Sequence, residues 1–270
     1  MLFRSETVVF RLRRQHYVTR DIAVAVDVHF HGIARYEALD VEGKERFGAR
    51  GGSEEAELQV ARSELWNAVE VPAYESEAAF VRFNIGMDFG AWRMALRRLN
   101  LPRPDTRRIL LINDSVYGPV APLQPLLERM DTDTADLWGM TDSREIAWHV
   151  QSYFLLAGPR LIHSATWRRF WAMAVPLPWR RWVIRRHEIG LSRRVVADGF
   201  TTRALFPARS GANPMFADWR ELLSDGFPFL KRELLRDNPT ADPGIAAWRQ
   251  LVAEPFVREI ERDLGRWKKS

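Results

Sequence analysis

The chain has 270 residues, enough for one large domain or two small ones with a sizeable core. Apolar residues make up 46% and charged residues 28%, which is typical of a globular protein rather than a disordered or membrane-spanning one. We find no apolar stretch near the roughly 18 residues that cross a bilayer, and no secretory signal, so we expect a cytoplasmic protein. The absence of cysteine excludes disulfides, thiolate metal sites and cysteine nucleophiles.

Hydrophobic periodicity predicts strands and helices in alternation through the first half of the chain. Ile22 to Phe30 alternate between apolar and polar residues, which is the period of a half-buried strand. A helix is expected over residues 53–66, a strand over 78–83 and a helix over 89–99. The four branched apolar residues Ile109 to Ile112 predict a strand buried on both faces, as in a parallel sheet.

The second half continues with a helix at 123–130, a strand at 135–139, an apolar element at 148–157 and a helix at 164–173. This order predicts the α/β class, with a mostly parallel central sheet flanked by helices. Apolar residues at helical spacing from Ile245 to Ile260 predict a C-terminal amphipathic helix, kinked at Pro255 and packed on the main body. We therefore expect a domain over residues 1–240 and a helical extension over 241–270.

The first candidate site is the strand-to-helix turn that contains Asn84, Gly86 and Asp88. A glycine lets the backbone come close to a ligand, and the two polar side chains suit hydrogen bonds to a base, a ribose or a sugar. The alternative is structural: Asn84 and Gly86 make the turn, and Asp88 caps the helix.

The second candidate site is Asn113-Asp114-Ser115, directly after the apolar strand. Ligands of α/β sheets bind outside the carboxyl ends of the strands. One carboxylate suffices to hold a hydrated Mg²⁺ or Mn²⁺ when substrate phosphates complete its coordination shell. The alternative is an Asx turn that ends the strand.

The third candidate is Glu188, at the start of an apparently helical segment. A glutamate in an active crevice can act as a general base toward an acceptor hydroxyl. The alternative is an acid that stabilises the N-terminus of a helix.

Together these elements resemble the rhamnan synthesis F family, which is assigned to polysaccharide-building glycosyltransferases. The resemblance spans about Phe83 to Pro239, and several motifs in order are more specific than any one alone. It also extends to the broader GT-A (Rossmann-like) glycosyltransferase plan. Six segments carry it, namely Asn84–Gly90, Asn113–Pro119, Asp136–Asp142, His149–Phe154, Glu188–Ser192 and Gly226–Lys231 with its continuation to Pro239.

The resemblance implies roles for the candidate residues. Asn113-Asp114-Ser115 would lie at the donor diphosphate, with Asp114 as the metal ligand, and Glu188 would be the base of an inverting hexosyltransferase. Asp142, His149 and Gln151 would line the sugar or acceptor pocket. One carboxylate stands where the GT-A plan has two, so Mg²⁺ or Mn²⁺ dependence is left open, and residues 1–75 do not match the family's opening.

The implied reaction moves a sugar, rhamnose by resemblance, from a nucleotide-sugar donor to a polysaccharide or lipid-linked saccharide acceptor. The alternative is a non-catalytic nucleotide-sugar-binding or scaffolding subunit of polysaccharide assembly.

A basic and aromatic stretch runs from Trp167 to Arg194. Tryptophan prefers membrane interfaces and arginine binds phosphates, so this stretch suggests peripheral contact with the inner face of the cytoplasmic membrane. The alternative is that the tryptophans belong to the core and the arginines are solvated. We expect no nucleic-acid partner, because a net charge of +5 is a weak electrostatic footprint for phosphate binding.

Overall fold

A computed structural model describes the backbone of residues 6–12, 22–30 and 76–83 and the whole of residues 86–267. Within these ranges lie ten strands: β1 (Glu6–Leu12), β2 (Ile22–Phe30), β3 (Ser76–Phe83), β4 (Arg108–Asn113), β5 (Val116–Tyr117), β6 (Leu137–Ser143), β7 (His149–Val150), β8 (Phe154–Ala157), β9 (Thr202–Phe206) and β10 (Leu230–Lys231). The predicted helix over 53–66 lies outside the described residues.

Eight of these strands form one mixed sheet in the order β3-β1-β2-β4-β8-β6-β7, and β9 pairs with β6. Only β2–β4 and β6–β9 are parallel among the pairs described; the other pairs are antiparallel. The α/β class is confirmed. The expectation of a mostly parallel sheet is wrong for the strands described, and the GT-A-like plan stays a prediction.

The apolar run of β4 explains this error. Leu110 packs into one hydrophobic cluster while Ile109 and Leu111 pack into another, so β4 is buried on both faces as predicted. Burial on both faces does not fix strand direction, however, and β4 has the parallel β2 on one side and the antiparallel β8 on the other.

The described helices are α1 (Met87–Arg98), α2 (Gln124–Arg129), α3 (Pro159–Ile162), α4 (Ala165–Met173), α5 (Arg180–Val183), α6 (Ile189–Ala197), α7 (Pro214–Ala217), α8 (Trp219–Ser224), α9 (Arg232–Asp237), α10 (Trp248–Leu251) and α11 (Glu254–Trp267). A π-helical turn, Ile184–Glu188, joins α5 to α6. The predicted helices at 89–99, 123–130 and 164–173 correspond to α1, α2 and α4.

Helix α1 is anchored against the end of β4. Its apolar face buries Phe89, Trp92 and Leu96, which are at most 4% exposed. The indole Nε1 of Trp92 also donates a hydrogen bond to the carbonyl of Ile112, at 3.2 Å. This contact holds α1 beside the carboxyl end of β4, where two candidate segments meet.

The C-terminal region is two helices rather than one kinked helix. Helix α10 ends at Leu251 and α11 begins at Glu254, with Pro255 in the first turn of α11. A proline is tolerated there because the first helical N–H groups have no intrahelical acceptor. Val257 and Ile260 of α11 are buried in a third hydrophobic cluster. The domain boundary at residue 240 stays a prediction.

Candidate active site

A cleft of about 570 Å³ opens outside the carboxyl end of β4. It brings together residues that are far apart in the sequence and that belong to β4, the first turn of α1, the segment from β7 to the start of β8, the π-helical turn and α9. Seven of the predicted site residues line it: Asp88, Asn113, Asp114, Ser115, His149, Gln151 and Glu188. Their roles remain predictions.

Asn113 connects the first two candidate segments. Its Nδ2 donates to Oδ2 of Asp88 at 2.9 Å, and its Oδ1 accepts from both the backbone N–H (3.0 Å) and the hydroxyl (2.7 Å) of Ser115. The two hydrogen bonds from Ser115 to Asn113 form an Asx turn, which is the structural alternative that we considered for this segment. Because the turn also directs Asp114 and Ser115 into the cleft, it is compatible with a binding role.

Gly86 has a structural role at the start of α1. Its φ of 85° is strained for other residues, and a Cβ added there would lie 2.7 Å from Cα of Pro176. The backbone at Gly86 therefore comes close to Pro176, and not to a ligand as we expected. Gly86 is also not among the residues that line the cleft. Asn84 lies outside the described residues.

Glu188 is the last residue of the π-helical turn, a feature that often occurs at functional sites. Its Oε1 accepts the backbone N–H of Ser152 at 2.7 Å, and Nε2 of His149 lies 3.9 Å from the same oxygen. The other imidazole nitrogen of His149 is 2.8 Å from the carbonyl of Ala147 and so donates to it. The carboxylate is thus oriented in the cleft and is 14% exposed.

Gln151 lines the cleft, whereas Asp142 does not. Oε1 of Gln151 accepts from the hydroxyl of Thr141 at 2.7 Å, on the cleft wall. Asp142 is not among the lining residues: its two carboxylate oxygens accept from Nε1 of Trp148 at 2.7 Å and from the backbone N–H of Ala208 at 2.6 Å. Asp142 therefore ties together the segments behind the wall, which corrects the expectation that it lines the pocket.

Lys231 is a cleft residue to which the sequence analysis assigned no role. Its side chain is 9% exposed, with Nζ 3.4 Å from the hydroxyl of Ser115 and 6.0 Å from the ring centre of Tyr153. Burial lowers the pKa of Lys231, and the positive charge of Arg180 lowers it further, against the opposing effect of nearby carboxylates such as Glu188. The cleft thus holds a poorly solvated ammonium group beside the Asx turn.

Arg232, the next residue, links the cleft to the C-terminal helix. One guanidinium nitrogen lies 3.3 Å from Oδ2 of Asp114, and the other lies 2.8 Å from Oδ2 of Asp263 on α11. That same oxygen of Asp263 also accepts from the hydroxyl of Tyr117 at 2.6 Å and pairs with Arg236 at 3.3 Å. Helix α11 therefore holds the cationic wall of the cleft in place.

The described residues contain no cluster of metal ligands. Among them, no group of three histidine, aspartate or glutamate side chains is placed to hold a metal ion. Asp114, the predicted ligand, instead faces the guanidinium of Arg232. The role of Asp114 as a ligand of Mg²⁺ or Mn²⁺ stays a prediction, because substrate phosphates would supply the other ligands.

The basic and aromatic stretch divides into two parts. Trp167 and Trp171 are 2% and 6% exposed and belong to the core, whereas Trp179 and Trp182 are 67% and 57% exposed. The alternative that the tryptophans belong to the core therefore holds for Trp167 and Trp171 but not for Trp179 and Trp182. In the part of the chain that the structure describes, no helix has the length and apolar character needed to span a membrane.

Comparisons with known proteins give relatives of this chain and a family. The chain is 29% identical to the virulence protein VirA of Vibrio anguillarum over 198 residues, 60% of this chain and 63% of that protein. It is 27% identical to y4gN, an uncharacterized protein of Sinorhizobium fredii, over 46% of this chain and 34% of that protein.

The chain thus spans less than two thirds of the length of these relatives. No solved structure matches it. The family model described as rhamnan synthesis protein F matches residues 70–254, well over half of the chain. The chain therefore belongs to the rhamnan synthesis protein F family, a family of polysaccharide synthesis.

Proposed function

We propose that this protein is a cytoplasmic glycosyltransferase that moves a sugar from a nucleoside diphosphate sugar to a polysaccharide or lipid-linked saccharide. The observation that carries this proposal is the cleft itself, in which the oriented carboxylate of Glu188 shares one cavity with the cations Lys231 and Arg232. A base and a diphosphate-binding group are the two functions that such a transfer needs. The family's name supports rhamnose as the donor sugar.

In the proposed reaction Glu188 takes the proton of the acceptor hydroxyl. The acceptor oxygen then bonds to the anomeric carbon as the bond from that carbon to the diphosphate breaks, so a single displacement inverts the configuration. The backbone N–H of Ser152 supports this role because it fixes one carboxylate oxygen of Glu188. Positioned general bases of this kind contribute about 10²- to 10⁴-fold to a rate.

Lys231 and Arg232 are the proposed partners of the leaving diphosphate. Charge-assisted hydrogen bonds to phosphate are stronger than neutral ones, and they stabilise charge that develops in the transition state. The pairing of β10 with β5 brings both cations beside Asn113-Asp114-Ser115, the segment for which the family resemblance implies a place at the diphosphate. Asp88, bonded to Asn113, remains the proposed contact to the base or ribose.

The test is donor turnover by the intact protein. It would be incubated with UDP-, GDP- and dTDP-linked sugars, with and without Mn²⁺, and with a lipid-linked saccharide fraction, while nucleoside diphosphate release is measured. We expect release with at least one donor, stimulated by the acceptor. Donor binding without release or transfer would replace this proposal with the non-catalytic nucleotide-sugar-binding subunit, and absence of binding would reject both.

A further inference from the structure

A strongly exposed apolar segment connects α4 to the π-helical turn. Met173, Val175, Trp179 and Trp182 are 66%, 47%, 67% and 57% exposed, although they lie within ten residues of the chain. Single exposed apolar residues are ordinary on protein surfaces, but a contiguous group of large ones marks an interaction site. The two tryptophans follow Pro176 and Pro178, outside the helix that buries Trp167 and Trp171.

The chain around this segment is basic, although Glu233 lies 3.5 Å from Arg180 and Asp198 pairs with Arg194 at 3.1 Å. Residues 146–187 contain seven arginines and neither aspartate nor glutamate. Arg168, Arg169, Arg181, Arg185 and Arg186 are all exposed. A surface that combines exposed tryptophan with clustered arginine is complementary to a partner that is both anionic and apolar.

A groove of about 260 Å³ lies within this surface. Its apolar lining includes Phe170 and Met173, and its guanidinium groups come from Arg169, Arg186 and Arg194. Arg194 is paired at 3.1 Å with Asp198, which directly follows its helix, whereas the groove itself is lined by no acid. A groove that combines apolar side chains with cations suits a lipid phosphate and the start of its acyl chains.

We propose that the surface formed by residues 169–186 docks on a bilayer that contains anionic phospholipid. Trp179 and Trp182 enter the interfacial region, where indole rings are preferred, and the arginines contact lipid phosphates. The partner is a lipid surface because the exposed group is both apolar and cationic, and because one groove presents both characters side by side.

This docking surface is continuous with the mouth of the cleft. Arg180, Val183 and Ile184, which lie one to five residues after Trp179, line the cleft. Docking would therefore hold the cleft at the bilayer surface, where a lipid-linked acceptor resides. The inference goes beyond the proposed transfer, because bilayer binding is measured without any donor or acceptor.

The test is flotation of the intact protein with two kinds of vesicle. One kind contains equal parts phosphatidylglycerol and phosphatidylcholine, and the other contains phosphatidylcholine alone. We expect flotation with the anionic vesicles at low salt and release at high salt. No flotation with the anionic vesicles would overturn the proposal.

Variants distinguish this surface from general charge attraction. The triple variant Arg169→Gln, Arg185→Gln, Arg186→Gln should weaken binding about 100-fold, since each basic residue near an anionic surface contributes roughly fivefold. The double variant Trp179→Ser, Trp182→Ser should weaken it by about tenfold.

Matched controls lie elsewhere on the surface. Arg258→Gln, Arg262→Gln, Arg266→Gln on α11 makes the same change in charge, and Leu251→Ser removes an apolar side chain that is 43% exposed. Both should bind vesicles like the unaltered protein, with folding checked by circular dichroism. Equal losses in the control and test triples, or no loss in either test variant, would contradict the proposal.

Discussion

Replacement of Lys231 by methionine is expected to weaken donor binding while it stabilises the free protein. Methionine is similar in length but carries no charge. A hydrogen bond to a charged group contributes about 1.5–3 kcal/mol, so loss of the ammonium group from the diphosphate site should weaken nucleoside diphosphate binding about 10- to 150-fold. The cleft offers few substitutes at this position because Arg232 is already held by Asp114 and Asp263.

Stability should change in the opposite direction. Burial lowers the pKa of Lys231 from its ordinary 10.5, so between the lowered pKa and 10.5 the unfolded chain binds more protons than the folded protein. The free energy of unfolding of the unaltered protein therefore rises with pH through that window. Lys231→Met removes this rise, and relief of the buried charge should raise the free energy of unfolding at neutral pH by roughly 0.5–2 kcal/mol.

Two measurements check this pair of effects. Isothermal calorimetry with a nucleoside diphosphate gives the affinity, and urea unfolding at several pH values gives the stability. Arg209→Met is the matched control, because it removes a cation that is paired with Asp225 and is not among the residues that line the cleft. Unchanged nucleotide affinity in Lys231→Met would remove Lys231 from the diphosphate site and refute this reasoning.

Three further predictions concern the residues that hold the cleft. Asp114→Ala should weaken donor binding about fivefold with or without Mn²⁺, since the guanidinium of Arg232 loses the carboxylate that orients it toward the diphosphate; a loss seen only with Mn²⁺ in calorimetry would make Asp114 a metal ligand instead. For Asp263, burial alone would raise the pKa, but its hydrogen bonds and the nearby arginines lower it overall. Its stabilising contribution is therefore complete above the ordinary carboxyl pKa of 3.8 and is lost as pH falls through the lowered value. Asp263→Asn should cost about 1–3 kcal/mol in urea unfolding at neutral pH, and no loss would contradict the anchoring role of α11. Gly86→Ala should cost about 1–3 kcal/mol, because of its positive φ and the contact with Pro176; equal thermal stability would show that the turn adapts.

Much of the fold follows from local patterns. Helix α1 could be predicted because Phe89, Trp92 and Leu96 repeat at helical spacing, and β2 because its apolar residues alternate. The direction of the strands could not be predicted, because a strand buried on both faces, such as β4, has the same composition in a parallel and in an antiparallel sheet. In the C-terminal region, helical spacing continued across the break at Val252, so one helix was predicted where two occur.

Part of the candidate site could be predicted from the sequence, and part could not. The residues that end β4 and begin α1 could be placed together, since they follow elements with clear periodicity. Lys231 and Arg232 were not identified, because they reach the cleft through the two-residue pairing of β10 with β5. Such a short ladder has no periodic pattern, and 116 residues separate Lys231 from its contact with Ser115.

The transfer activity of Glu188→Gln tests the central claim most directly. Glutamine retains the oxygen that accepts from Ser152 but cannot take a proton from the acceptor. We predict that transfer falls about 10²- to 10⁴-fold while nucleoside diphosphate affinity is unchanged, and that Glu145→Gln, a carboxylate elsewhere on the cleft wall, keeps most of the activity. Full transfer activity in a folded Glu188→Gln protein would contradict the account.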